Sequence, residues 1–198
     1  MAQTGYRNLE GDERELSREE LQALRNNRTG VAIFQYSWIM AFVCLIVVNL
    51  QIRSNFAAWP PEGVAPLNPV LPALVTVAII ASSVFARNAL QAIKGDDRAA
   101  FLRRWRIALG LGAVFAAVMI VELLALPESG QYSAVFRVMT AFHVTHALAI
   151  GYIMFRVERY GAGGGYDAVR HWGVEAAAKL WYFVTIAWLL FFVVLYVI

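Results

Sequence analysis

Charged side chains are scarce in this sequence. Lysine, arginine, aspartate and glutamate make up only 16% of its 198 residues, whereas apolar residues make up 60%. A soluble domain carries roughly 25% charged residues and about 45–50% apolar ones, so this chain has too little polar surface to cover a water-soluble globule. The composition excludes a soluble enzyme, a nucleic-acid-binding domain and a disordered chain, and it predicts an integral membrane protein.

Cysteine is also scarce, since Cys44 is the only one. One thiol cannot form an internal disulfide or a cysteine-based metal site, and it carries no information on the redox compartment. Residues 1–28 contain no apolar segment of the kind found in signal peptides, so we expect no signal peptide in this segment. There is no internal repeat, and no nucleophile, base and orienting residue stand in a recognisable catalytic pattern. We therefore expect no catalytic residue in this chain.

Long uncharged runs, in contrast, are abundant. A helix that crosses a bilayer needs about 20 mostly apolar residues, and the runs are continuous rather than alternating, which excludes strands. We predict an all-α, polytopic membrane protein: a five-transmembrane-helix bundle over residues 30–198, after a cytoplasmic N-terminal segment, 1–29. The predicted spans are 31–52, 68–93, 105–126, 132–156 and 175–198.

The positive charges predict how the bundle is oriented. Fifteen of the seventeen lysines and arginines lie in the N-terminal segment, the second connection or the fourth connection. The two others lie toward the opposite side, Arg53 in the first connection and Arg137 about one turn inside the fourth span. Because cytoplasmic loops carry the excess of positive charge, we expect the N-terminus in the cytoplasm and the C-terminus outside.

Two segments outside the spans have recognisable patterns. Ser17 followed by Glu20 fits a capping box at the start of a short helix, Ser17–Leu24, although a solvated tail fits this segment equally well. The glycine-rich run 161–165 follows no strand and lacks the lysine of a phosphate-binding P-loop. We interpret it as a flexible loop.

Glu122 and Arg137 are two of the ionisable residues that lie inside predicted spans. Ionisable groups at membrane depth are costly and are therefore candidates for function. Both residues lie about one turn from the outer end of their spans, and a tight Pro127–Gly130 turn joins those spans. We predict that they form an ion pair, and separate contacts with the membrane surface are the alternative.

The histidines are candidates for polar contacts inside the bundle. His143 and His146 lie three residues apart near the middle of the fourth span, and His171 precedes the fifth. Two facing histidines from different helices, as a haem needs, are absent, so we expect neither haem nor metal in this chain. We predict that His143 and His146 form hydrogen bonds between helices. Depth places His146 level with Tyr182 and Thr185, and with the segment Gln35–Ser37, in a polar cluster.

Several motifs, taken together, resemble subunit III of haem–copper oxidases. They cover about residues 30–198 in order and with matching spacing, in a short form with five helices. The acid of the span before the histidine pair falls at Glu122. The motifs are Trp59-Pro60-Pro61, Leu67-Asn68-Pro69, Ala81-Ser82-Ser83-Val84, Phe142-His143-Val144-Thr145-His146, His171-Trp172-Gly173-Val174-Glu175-Ala176-Ala177-Ala178 and Trp181-Tyr182-Phe183-Val184-Thr185 with Trp188.

The sequence also departs from that family's pattern. Ser37-Trp38 stands where a Ser-Glu pair is usual, and Tyr182 and Thr185 stand where the family has His and Asp. Arg137 replaces an apolar residue. These departures question a proton-related or lipid-headgroup role for this region, but they leave a packing role intact.

The resemblance implies a non-catalytic subunit of a respiratory-chain enzyme. Haem and copper would lie in subunits I and II, and this chain would pack on the catalytic subunit and bind phospholipid. The complex would be a hetero-oligomer in the bacterial cytoplasmic membrane that reduces oxygen and pumps protons. Structural contacts with lipid or subunits are expected at Glu122, Arg137, His143, His146, His171, Glu175, Tyr182 and Thr185.

Two alternatives are left open by the sequence. The chain could serve another respiratory assembly, such as a nitric oxide reductase or a quinol oxidase, because the accessory proteins resemble each other. It could also be a small proton-coupled carrier that uses Glu122, His143 and His146 as a relay. Against the carrier, transporters usually contain paired repeats and broken helices, and neither is seen here.

Overall fold

The computed structural model describes residues 16–126 and 130–198, and these form a bundle of long helices. Each helix is long and apolar enough to cross a membrane, as far as length and composition decide this. The all-α architecture with five potential spans is therefore confirmed. The helices are α1 (Arg18–Arg53), α2 (Val70–Lys94), α3 (Arg98–Ala125), α4 (Gly130–Ala162) and α5 (Trp172–Phe192), the last continued by a π-helical turn, Val193–Val197.

The capping box predicted at Ser17 is present. The Ser17 hydroxyl accepts a hydrogen bond from the Glu20 backbone N–H at 3.2 Å, and the Glu20 carboxylate accepts one from the Ser17 N–H at 2.9 Å. The helix that starts there is not a separate short one, however. It continues without a break through the first predicted span to Arg53, because no proline interrupts the segment.

The connections at the charged end of the bundle are short and held by side chains. Asp97 accepts a hydrogen bond from the Ala100 N–H at 2.9 Å and so caps the start of α3, and only three residues separate α3 from the end of α2. Between α4 and α5, Asp167 accepts hydrogen bonds from the N–H groups of Val169 and Arg170. These two bonds hold the pKa of Asp167 below its usual value. The predicted turn after Leu126 lies at residues 127–129, outside the described residues.

Helices α2 to α5 form the packed body of the protein. Helix α2 packs on α3, α3 on α4, α4 on α5, and α5 back on α2, whereas α1 packs more sparsely on α4 and α5. The side chains at the centre are almost fully buried, among them Ile79, Phe101, Trp105, Phe115 and Trp188. We call the end at which α1, α3 and α5 begin the charge-rich end.

Candidate functional site

His143 lies at the centre of the bundle, fully buried on α4. Aromatic rings from three other helices surround its imidazole. The ring centroids of Phe42 on α1 and Phe115 on α3 each lie 5.8 Å from it, and that of Trp188 on α5 lies 5.5 Å away. The imidazole is therefore the point at which four helices meet.

His146, one turn further along α4, forms the second part of this group. Its ring stacks on Trp38 of α1 with centroids 4.6 Å apart and planes only 23° apart. Phe42 and Phe183 contact it edge-on at 5.2 and 5.5 Å. We call His143, His146 and these surrounding rings the histidine–aromatic cluster. It is the main attachment of α1 to the rest of the bundle at membrane depth.

The prediction that these histidines form hydrogen bonds between helices is wrong. Among the described residues, both ring nitrogens of His143 and the Nδ1 of His146 are buried without a hydrogen-bond partner. The predicted polar cluster does not form either, since Ser37 donates to the Phe34 carbonyl of its own helix. Counting residues gave the depth of each group but not its rotation about the helix axis, and at this depth the facing helices present aromatic rings.

The geometry of the two histidines also does not fit a haem. They come from one helix, with ring centroids 6.5 Å apart, and aromatic rings occupy the space on their other sides. Within residues 16–126 and 130–198, no three histidine, cysteine, aspartate or glutamate side chains come together as a metal site would require. That the whole chain binds neither haem nor copper stays a prediction.

Indole rings, rather than imidazoles, donate hydrogen bonds between helices in the core. The Trp181 N–H donates to the Ser82 hydroxyl at 2.9 Å, and Ser82 donates to the Ala108 carbonyl at 2.7 Å, so three helices are connected. The Trp188 N–H donates to the Thr76 hydroxyl at 2.7 Å. Both indoles, seven residues apart on α5, therefore bond to α2.

Tyr182 and Thr185 face different surroundings on α5. The Thr185 hydroxyl is buried and lies 2.7 Å from that of Ser83 on α2, within hydrogen-bond distance. Tyr182 is half-buried. Ser83 belongs to a motif noted in the sequence, but its partner could not be identified there, because helix rotation is not encoded in spacing alone.

Glu175 forms the centre of an ionic group at the charge-rich end. Its carboxylate accepts from the Arg28 guanidinium at 3.2 Å and from the Lys179 ammonium at 2.7 Å, while only 12% of the side chain is exposed. The contact with Arg28 joins α1 to α5. Arg28 was missed as a partner, although it is the last charged residue before the first apolar run.

His171 lies immediately before α5, beside this ionic group. It is buried, and its Nδ1 has no hydrogen-bond partner in the part of the chain that the structure describes. Burial is the main reason that the pKa of His171 is lowered, and the positive charge of Lys94 lowers it further. Burial therefore disfavours the charged form of this imidazole.

The predicted ion pair between Glu122 and Arg137 is wrong. The Arg137 guanidinium donates instead to the Leu126 carbonyl at 2.7 Å. This carbonyl lies one turn beyond Glu122, at the end of α3, where helix carbonyls lack partners within the helix and favour a positive charge. Among the described residues, Glu122 has no ion-pair partner.

A further ion pair, between Arg106 and Glu158, was not predicted. It joins α3 to α4 near the charge-rich end, with nitrogen and oxygen 2.8 Å apart. Both residues lie at the edge of an apolar run, and this position is the only signal that the sequence gives for them. Paired charges at this level let two helices approach without an unpaired ion between them.

Comparison with known proteins places the whole described bundle within one family. The family model described as cytochrome c oxidase subunit III matches residues 10–198. Cytochrome c oxidase subunit 3 of Synechocystis sp. is 30% identical over 171 residues, which cover 84% of this chain and 73% of the relative. The Thermostichus vulcanus protein of the same name is 31% identical, with 85% of each chain covered. The Bos taurus protein is 32% identical over 70% of this chain and 54% of its own length.

Proposed function

Because this chain belongs to the cytochrome c oxidase subunit III family and is an accessory subunit of a haem–copper oxidase, we propose that it packs on subunits I and II of that enzyme. In this arrangement the partner subunits hold haem and copper. The chain contributes a scaffold of helices that contacts the catalytic subunit and membrane lipid, and it supports oxygen reduction coupled to proton pumping.

The exposed apolar surface supports this role. Ile33, Met40 and Val47 on α1 are 57–66% exposed, and Leu74 and Val77 on α2 are similarly exposed. Such a surface is stable only where acyl chains or another apolar protein covers it. Phospholipid and a neighbouring subunit are the two covers that a membrane complex offers.

The distribution of charge supports a location and an orientation. In the part of the chain that the structure describes, the positively charged start of α1, the α2–α3 connection and the α4–α5 connection all lie at the charge-rich end. The positive-inside rule, together with the bacterial relatives, favours the cytoplasmic membrane of a bacterium. We propose that residues 1–29 lie on the cytoplasmic side, followed by five spans to a C-terminus outside.

Copurification tests the proposal most directly. A tagged chain extracted from its native membrane in mild detergent should bring down haem-bearing partners, visible in reduced-minus-oxidised spectra, and copper in stoichiometric amount. A haem-bearing partner without copper would indicate a nitric oxide reductase-like assembly. Recovery of the chain as a lone bundle would contradict the accessory role and favour the carrier.

The contribution to proton pumping needs a separate measurement. Complexes purified with and without this chain should be reconstituted in vesicles and compared for oxygen consumption and proton release. We expect the complex that lacks this chain to keep its haem spectrum but to sustain less proton uptake during turnover. Equal proton yields per electron and equal persistence of turnover would contradict a supporting role.

A further inference from the structure

A cavity of about 580 Å³ lies at the charge-rich end, away from the histidine–aromatic cluster. The first turns of α1 form one side of it, and the α4–α5 connection with the start of α5 forms the other. Leu16, the first residue that the structure describes, lines this cavity. The part of the chain that precedes α1 is therefore attached at the cavity itself.

The charges around the cavity are unequal. Three cations line it, Arg28, Lys94 and Arg170, but only two acids, Glu20 and Glu175. Both acids have partners, since Glu175 accepts from Arg28 and Glu20 accepts from Arg170 at 3.1 Å. Lys94 forms no ion pair or hydrogen bond with any residue in the described part of the chain. Its positive charge faces the cavity without an acid beside it.

His171 is a second polar group that lacks a partner in this cavity. Only 8% of the residue is exposed, and its Nδ1 has no hydrogen-bond partner within residues 16–126 and 130–198. A buried polar nitrogen without a partner is costly. A carboxylate would compensate the charge of Lys94, and it would accept a hydrogen bond from the imidazole wherever Nδ1 carries the proton. The cavity therefore suits an acidic group.

The sequence immediately before Leu16 supplies such groups. Residues 9–15 read Leu-Glu-Gly-Asp-Glu-Arg-Glu, four acids with one arginine, and their net charge is −3. An extended residue spans at most about 3.6 Å, so every carboxylate of this segment is attached within about 25 Å of Leu16. A tether this short keeps the effective concentration of the carboxylates at the cavity high.

We propose that residues 9–15 bind across this cavity, with a carboxylate on Lys94 and His171, and that the chain thereby covers its own cationic wall. Charge and attachment select this partner, because the segment is acidic, the wall carries an excess of cations and Leu16 connects the two. The contact is independent of the accessory role, since the full-length chain contains both of its sides.

Zero-length cross-linking of the purified full-length chain in maltoside micelles tests this contact. A carbodiimide joins a lysine amine to a carboxylate that touches it, and the chain has two lysines, Lys94 and Lys179. Lys179 lies 2.7 Å from Glu175, so the link between them is a built-in control of the reaction. We expect mass spectrometry to find Lys94 joined to an acid of residues 9–15. Because salt screens exposed charges, this link should decrease about threefold or more when the salt is raised from about 50 mM to 500 mM.

A variant without the acidic charges separates the charge of the segment from its bulk. It combines four substitutions: Glu10→Gln, Asp12→Asn, Glu13→Gln and Glu15→Gln. A small amine-reactive ester should label Lys94 about threefold faster or more in this variant, and the rate at Lys179 should change less than about twofold. Glu19→Gln removes an acid of α1 outside the cavity lining and should leave both rates unchanged. Melting temperatures show whether the variants are folded.

Several results would overturn the proposal. One is the control link between Lys179 and Glu175 without any link from Lys94 to residues 9–15. Another is equal labelling of Lys94 in the wild type and the four-fold variant, because another molecule, such as an anionic lipid, would then account for any protection. Equal acceleration at both lysines would show a diffuse effect of charge. A link found only between isotope-labelled and unlabelled chains in a mixture would show binding to a second copy instead.

Discussion

The most apolar 18-residue windows of α1 and α5 have the same mean hydropathy, but the two helices differ in how much of that window is buried inside the protein. Half of that window in α5 is buried inside the protein, against 6% in α1. Trp181, Ala177 and Trp188 of α5 pack against neighbouring helices, whereas Ile33 and Met40 of α1 face outward. Hydropathy therefore measures suitability for the membrane and not burial within the protein.

The physical reason lies in what drives packing inside a bilayer. Lipid tails are as apolar as leucine, so apolar side chains alone gain little by leaving lipid for protein. Close approach and hydrogen bonds decide instead, and α5 has both: alanines near its start and indoles that donate to α2. Among the described residues, α1 is attached by the histidine–aromatic cluster and by two ion pairs, Arg28–Glu175 and Glu20–Arg170.

The largest expected effect comes from removing an indole from the buried side. Trp188→Ala deletes contacts with Phe115 and His143 and the hydrogen bond to Thr76, and should lower the free energy of unfolding by ~3–5 kcal/mol. Phe34→Ala, on a half-exposed side chain of α1, should cost less than ~1 kcal/mol. Unfolding in mixed micelles measures both. Similar losses of stability in the two variants would show that an exposed side chain of α1 contributes as much to stability as a buried one of α5.

A pair of glycines on α3 sharpens the contrast by adding one methyl group. A Cβ at Gly112 would lie 2.5 Å from Cζ2 of Trp181, whereas one at Gly110 would meet nothing within 4 Å. We expect Gly112→Ala to destabilise by ~1–3 kcal/mol. Gly110→Ala should be neutral or slightly stabilising, because alanine is the better helix former. The melting temperatures of the two variants, measured side by side, test this difference, and equal values would contradict it.

A double-mutant cycle on Arg28→Gln and Glu175→Gln tests the ionic attachment of α1. Arg28 is 38% exposed, so solvent screens the pair, and we expect a coupling of only ~0.5–1 kcal/mol. Amide exchange near Arg28 should also increase in both single variants. Strictly additive effects on stability would show that the ion pair does not hold α1 in place.

The smallest expected effect is a dependence on pH at the start of α5. His171 has a lowered pKa in the fold because of burial and Lys94, with Glu175 and Asp167 as the nearby acids. The unfolded chain therefore binds a proton more readily. The contribution of His171 to the free energy of unfolding is complete above about pH 6.5, where the imidazole is neutral in both states, and is lost as the pH falls below that value.

The difference in stability between the wild type and His171→Gln isolates the pH-dependent contribution of His171, since the other two histidines are present in both proteins. We expect the wild type to lose more stability than the variant between pH 7.5 and 5.5. Parallel pH curves for the two proteins would show that the pKa of His171 does not change on folding.

The pattern of charge and hydropathy predicted much of the fold. Uncharged runs of 18 residues or more are needed to cross a membrane, and they predicted the number and type of the helices, while Ser17 and Glu20 predicted a cap that is present. The site was predicted less well. His143 and His146 lie near the middle of the fourth helix, as predicted, but their hydrogen bonds were predicted wrongly, and Arg28 and Arg106 were not identified as partners.

The sequence by itself determined that this chain is a helical membrane protein of the subunit III family. A bilayer requires long uncharged segments, and the motifs of the family occur in this sequence in the same order although individual residues differ. Only the tertiary structure decided which polar groups meet. A rotation of a helix about its axis leaves composition and depth unchanged, yet it replaces every neighbour of a side chain. For this reason Arg137 meets a helix end rather than Glu122, and the histidines meet aromatic rings.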